Sequence, residues 1–173
     1  MGWLMSLKTR FSVTHPGADR IHHVAEADVQ VVLSRLPVEV RSRLRAVHFN
    51  DGSHGARLLG YANPASGEIA LCALPPRMSL RRFLLRGQSS EEFGATPTGK
   101  WPDLAIRRFL LYDVFLHELG HLQAISDART DRLRYAREKL AEDFATIWRH
   151  ELWSSYFGHP DPVHNRPRPE VTT

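Results

Sequence analysis

Residues 103–125 (DLAIRRFLLYDVFLHELGHLQAI) constrain the fold more than any other stretch of this chain. The spacing predicts a long helix, with Asp103 placed to cap its start. Its apolar side chains cover most of the circumference, so it belongs in the middle of a domain rather than on a surface. Two histidines, His117 and His121, sit on this apolar helix. Each would cost desolvation energy there unless it is bonded or ligated.

The two histidines belong to His117-Glu118-Leu119-Gly120-His121, an H-E-x-x-H pattern. Residues four apart share a helix face, so both imidazoles can reach one ion. Glu118 is rotated by about 100° from His117, beside the ion without binding it, where a base must be to take a proton from a metal-activated water. At this composition, chance yields only about 0.03 such matches per chain. Gly120 costs a helix about 1 kcal/mol relative to alanine, which implies close approach of another backbone. A catalytic zinc usually takes three protein ligands and keeps one position open. A second helix, about Thr130 to Trp153, offers Glu138 and Glu142, again four apart. One carboxylate can bind the metal, and the other can brace a ligating histidine. The inward side of that helix is expected to carry Leu133, Leu140, Phe144, Ile147 and Trp148.

The remaining elements are shorter. Ala25 to Leu36 reads as an amphipathic helix and Arg45 to Asn50 as a strand. Leu58–Ala62 and Glu68–Leu74 flank Asn63-Pro64-Ala65-Ser66-Gly67 as a hairpin. Residues 1–20 show only loose patterning. Residues 75–103, with Arg77, Arg81, Arg82 and Arg86, read as an insertion or lid. Residues 158–173, with Pro160, Pro162, Pro167 and Pro169, read as a disordered tail. The expected organisation is one domain over 1–157 with that tail.

Composition narrows the function classes. No apolar run approaches the ~20 residues a membrane span needs. The single cysteine, Cys72, excludes an internal disulfide framework and reads as a small buried side chain. With too short an apolar start for a signal peptide, a cytoplasmic location is expected. A net charge of +4 permits contact with nucleic acid without demanding it.

HELGH followed by Glu138-Lys139-Leu140-Ala141-Glu142-Asp143-Phe144-Ala145 resembles the gluzincin metallopeptidases, most closely the small intracellular ImmA/IrrE-like type. The resemblance covers about residues 55–153. It implies that zinc is held by His117, His121 and Glu138. It further implies Glu118 as general base, Glu142 as the support of a histidine ligand, and peptide or protein substrates. The fold it implies is α+β and zincin-like: a small, mostly antiparallel sheet packed on the motif helix and the second ligand-bearing helix. The hairpin occupies the place of the edge strand, with Leu58 to Ala62 able to take substrate as an added strand. This chain departs from the pattern in having sixteen residues between His121 and Glu138, and Glu142 in place of Asp or Asn. A peptidase also needs a donor for the tetrahedral oxyanion, for which His150, Tyr156 and Tyr135 are candidates. Two other readings stand beside this one: a non-catalytic binding protein that keeps zinc as a structural pin, and a nucleic-acid-associated factor using its arginine-rich segments.

Overall fold

The computed structural model describes residues 8–123, 131–155 and 157–168. Four strands, β1 (Arg10–Val13), β2 (Ala46–Asn50), β3 (Gly60–Asn63) and β4 (Glu68–Cys72), form one sheet in the order β1-β2-β4-β3. Together with the helices this makes the chain α+β. β1 and β2 are parallel, as are β2 and β4; only the β3–β4 hairpin is antiparallel. The expectation of a mostly antiparallel sheet is therefore corrected. The physical reason lies in the connections. A short turn forces β3 and β4 to run oppositely, whereas helix α1 (Glu26–Arg35) provides the long crossover that parallel β1 and β2 require. β4 then enters between β2 and β3, and four of its five residues are buried.

β1 falls in the N-terminal stretch where no strand was expected. Its residues are mostly exposed and its partner β2 supplies the order, with Arg10 opposite Ala46. A short helix, α2 (Val38–Arg41), leads into β2.

The motif helix runs unbroken in helical backbone from Asp103 to His121. It comprises α3 (Asp103–Phe109), a π-helical stretch (Leu110–Phe115) and α4 (Leu116–His121). All six residues of the π stretch are buried. Ile106, Phe109, Phe115 and Leu119 of the helix share one buried core with Val47, Phe49, Ile69 and Leu71 of the sheet, so the helix lies at the centre of the domain as its sequence requires. Asp103 is the first helical residue rather than the cap, which is Pro102; the Asp103 carboxylate instead bonds His23 Nδ1 at 3.0 Å.

Helix α5 (Asp131–Ser154) matches the expected second helix, but its inward face is rotated. Ala141, Ala145, Arg149, Leu152 and Trp153 are buried, while Leu140 and Ile147 are exposed. Small residues face α4 because the two helices touch. A Cβ on Gly120 would stand 3.0 Å from the Ala141 Cα and 3.2 Å from its carbonyl oxygen. The close approach implied by Gly120 is this contact.

Two segments are more ordered than expected. Residues 75–103 are irregular, with 3-10 turns at Arg81–Phe83 and Ser90–Phe93, yet Leu80, Phe93, Ala95 and Trp101 enter the core. Phe93 packs edge-on against Phe109 at 4.9 Å and Trp153 at 6.0 Å. The described part of the tail, 158–168, is not disordered, which corrects that expectation. Val163 and His164 are buried, Arg107 grips Asp161 at 2.7 Å, and the Tyr112 hydroxyl meets His164 Nδ1 at 2.8 Å. Prolines preset the turn, and α3 and the π stretch offer polar partners that composition could not reveal. No helix among the described residues is long and apolar enough to cross a membrane.

Candidate metal centre

The contact between Gly120 and Ala141 brings the C-terminal turn of the motif helix against the N-terminal half of α5. His117 and His121 project from α4 on one face, and Glu138 stands one turn before Ala141 on α5. The Glu138 carboxylate reaches both rings, with Oε1 2.8 Å from His117 Nε2 and Oε2 3.3 Å from His121 Nε2. The two Nε2 atoms are 3.1 Å apart. Ligand atoms of all three residues lie within 4.8 Å of one another.

These residues fit a zinc ion. Two imidazole nitrogens and a carboxylate are a borderline donor set that zinc accepts. Metal–nitrogen bonds of 2.0–2.1 Å in a tetrahedron place the nitrogens about 3.3 Å apart, close to the 3.1 Å observed. With its ring proton on Nε2, each imidazole donates to one Glu138 oxygen; with that proton on Nδ1, both Nε2 lone pairs and the carboxylate aim at one point, as a metal requires. Burial and the neighbouring His117 hold His121 below the usual imidazole range, which favours the neutral form that a ligand must have. The Glu138 side chain is 53% exposed, so the cluster opens to solvent on the α5 side.

Glu118 is half-buried beside this cluster. Burial pushes its carboxyl up to about 8, with the Glu138 charge adding to the shift. The end of the motif helix is also pinned. Arg43 donates to the carbonyls of Leu122 at 3.2 Å and Gln123 at 2.9 Å, and the Gln123 amide donates to the Val40 carbonyl at 2.8 Å.

The other expected site residues are placed as follows. Glu142 is half-buried one turn past Glu138 and, among the described residues, forms no hydrogen bond to either histidine. His150 is corrected as a candidate for the centre. Twelve residues at 1.5 Å rise put it about 18 Å along α5 from Glu138, and its Nε2 turns to Glu92 Oε1 at 3.4 Å. Tyr135 lies one turn before Glu138 and is 76% exposed. Tyr156 lies outside the described residues. Cys72 is buried at the end of β4, where burial pushes its thiol up to about 11, so it stays protonated.

A second polar cluster escaped sequence reading altogether. Arg149 of α5, 1% exposed, is bonded to Asp113 of the π stretch and to Glu92. An arginine flanked by Trp148 and His150 carries no sequence signal of burial. The only hint was that it falls on the same face as Ala141 and Ala145.

Comparisons with protein-family models, with curated proteins and with solved structures gave no match to this chain. The case for a function therefore rests on the site's own geometry.

Proposed function

We propose that this chain is a zinc-dependent peptidase of the H-E-x-x-H…E kind, with a zincin-like layout and a cytoplasmic location. The observation that carries it is the convergence of His117 Nε2, His121 Nε2 and the Glu138 carboxylate from two helices, with Glu118 alongside. His117, His121 and Glu138 would hold the metal. When bound, zinc supplies a Lewis acid that polarises a carbonyl and acidifies water.

The chain's own residues do the rest. The Glu118 carboxylate takes a proton from the attacking water and returns it to the leaving amine. β3 is an edge strand of the sheet. It packs against the motif helix so closely that a Cβ on Gly60 would meet Val114 Cγ1 at 2.9 Å. Its free edge offers backbone donors and acceptors to an extended peptide, which would lie along the helix that bears the histidines.

Metal content and peptide cleavage together test this reading. Wild-type protein should hold about one zinc per chain and cleave members of a mixed peptide library, read by mass spectrometry. Glu118→Gln should keep the zinc and lose the cleavage. Wild type without zinc after reconstitution, or cleavage that survives in Glu118→Gln, overturns it. Zinc retained by a wild type that cleaves nothing, with Glu118→Gln indistinguishable from it, would favour a structural metal pin.

A further inference from the structure

Of the contacts between the motif helix and α5, three involve backbone approach or charged groups, and they differ in what they can fix. At Gly120 and Ala141 the backbones touch, which sets the distance between the helices. A glycine opposite an alanine has no side chain to interlock, so that contact resists separation more than sliding. The trio of His117, His121 and Glu138 sets the register only weakly, since its bonds run to a carboxylate that is 53% exposed and free to exchange them for water. The third contact is different.

Arg149 is gripped on several sides. Its Nη1 donates to Asp113 Oδ1 at 2.8 Å and lies 3.4 Å from the Tyr112 carbonyl. Its Nε and Nη2 reach Glu92 Oε1 at 3.0 and 2.9 Å. Asp113 Oδ1 also accepts from the Gln88 amide at 2.8 Å. Asp113 lies four residues before His117 on the motif helix, and Arg149 eleven residues after Glu138 on α5. The bond between them thus ties the helix that carries two ligands to the helix that carries the third. Both ends are buried, where a directional charged bond is least tolerant of displacement. Sliding α5 by one residue, about 1.5 Å, would break these bonds and carry Glu138 away from both imidazoles.

We propose that Arg149 is a positioning residue: through Asp113 it sets the axial register of α5 against the motif helix, and so places Glu138 at His117 and His121. This rests on the zinc reading of the trio.

The test reads zinc affinity on the full chain, by competition with a chromophoric chelator, beside circular dichroism melts. Removing one partner strands a buried charge, so the informative variant is the pair Arg149→Met with Asp113→Leu, whose apolar side chains fill the space. It should unfold cooperatively yet bind zinc roughly 10–100-fold more weakly, the range for residues that orient metal ligands. In a Glu138→Ala background the same pair should change zinc affinity no further, because the effect passes through Glu138. A merely structural role would lower affinity equally in both backgrounds. Wild-type affinity in the folded pair, or equal losses in both backgrounds, overturns the proposal. If the pair does not fold, Arg149→Lys serves instead: it keeps the charge and loses the fork, and its smaller loss should likewise vanish with Glu138→Ala. Wild type that binds no zinc removes the metal reading, a result distinct from a register effect that fails to appear.

Discussion

Two charged clusters lie along the same pair of helices, and they are built on opposite plans. Around Arg149 each carboxylate meets donors, and the guanidinium is 1% exposed. Around Glu138 two imidazole nitrogens and a half-exposed carboxylate converge on one point that is open to solvent. The first cluster is complete without a ligand. The second, on the zinc reading proposed above, exchanges its His–Glu hydrogen bonds for bonds to a cation. The comparison teaches that burial separates the two: a closed ion pair is committed to packing, whereas an open set of side chains can trade its hydrogen bonds for a ligand.

The largest effect that would break this contrast is catalytic. Glu118→Gln should lower peptide cleavage by up to about 10⁴-fold while metal analysis still finds zinc. A comparable effect on stability belongs to the closed cluster. Arg149→Met alone leaves Asp113 buried without its cation, and should cost about 3–5 kcal/mol in denaturant unfolding. The paired variant with Asp113→Leu should recover most of that loss. If the single and paired variants unfold alike, the cluster is not a closed ion pair.

The open cluster should respond to pH. Burial raises the Glu118 carboxyl from 4.5 to about 8 in the folded chain. A raised carboxyl favours the neutral form, so the stability it contributes is present below about pH 4.5 and lost as pH rises through about 8. Metal-free protein should therefore melt at progressively lower temperature from pH 5 to pH 8, and Glu118→Gln should flatten that slope. An equal slope in the variant would assign the effect to other groups.

Smaller effects sharpen the geometry between the clusters. Gly120→Ala improves helix propensity by about 1 kcal/mol, but its methyl would press on backbone atoms of Ala141 that cannot give. Overpacking of about 1–3 kcal/mol should win, so thermal melts should show net destabilisation. Lys139→Ala removes an exposed pair with Asp143 on the outer side of α5. It should leave both melting and zinc affinity unchanged, and a measurable loss would mean that the outer face also holds the site.

Some of this was readable from residue spacing. The four-residue steps within HELGH and between Glu138 and Glu142 put candidates on common helix faces, because helical periodicity is local. The hairpin was legible for the same reason: its turn residues lie between two apolar runs. The phase of α5 was not. Leu133, Leu140 and Ile147 suggested an inward face by hydrophobicity, yet Leu140 and Ile147 are exposed while Ala141 and Ala145 are buried. Close helix contact selects small residues over large apolar ones, and only the partner helix reveals that. His150 failed as a candidate for a related reason, since helix rise carries it away from Glu138.

The sequence by itself determined the buried motif helix, the shared face of His117 and His121, the place of Glu118 beside it, and the hairpin before it. All of these follow from local backbone geometry and side-chain spacing. Tertiary structure alone decided the parallel strand pairing, the burial of Val163 and His164, the closed Arg149–Asp113 cluster, and the meeting of Glu138 with both histidines. Each of those joins residues distant along the chain. Their partners are set by packing and by desolvation of charge, which no periodicity within a single segment records.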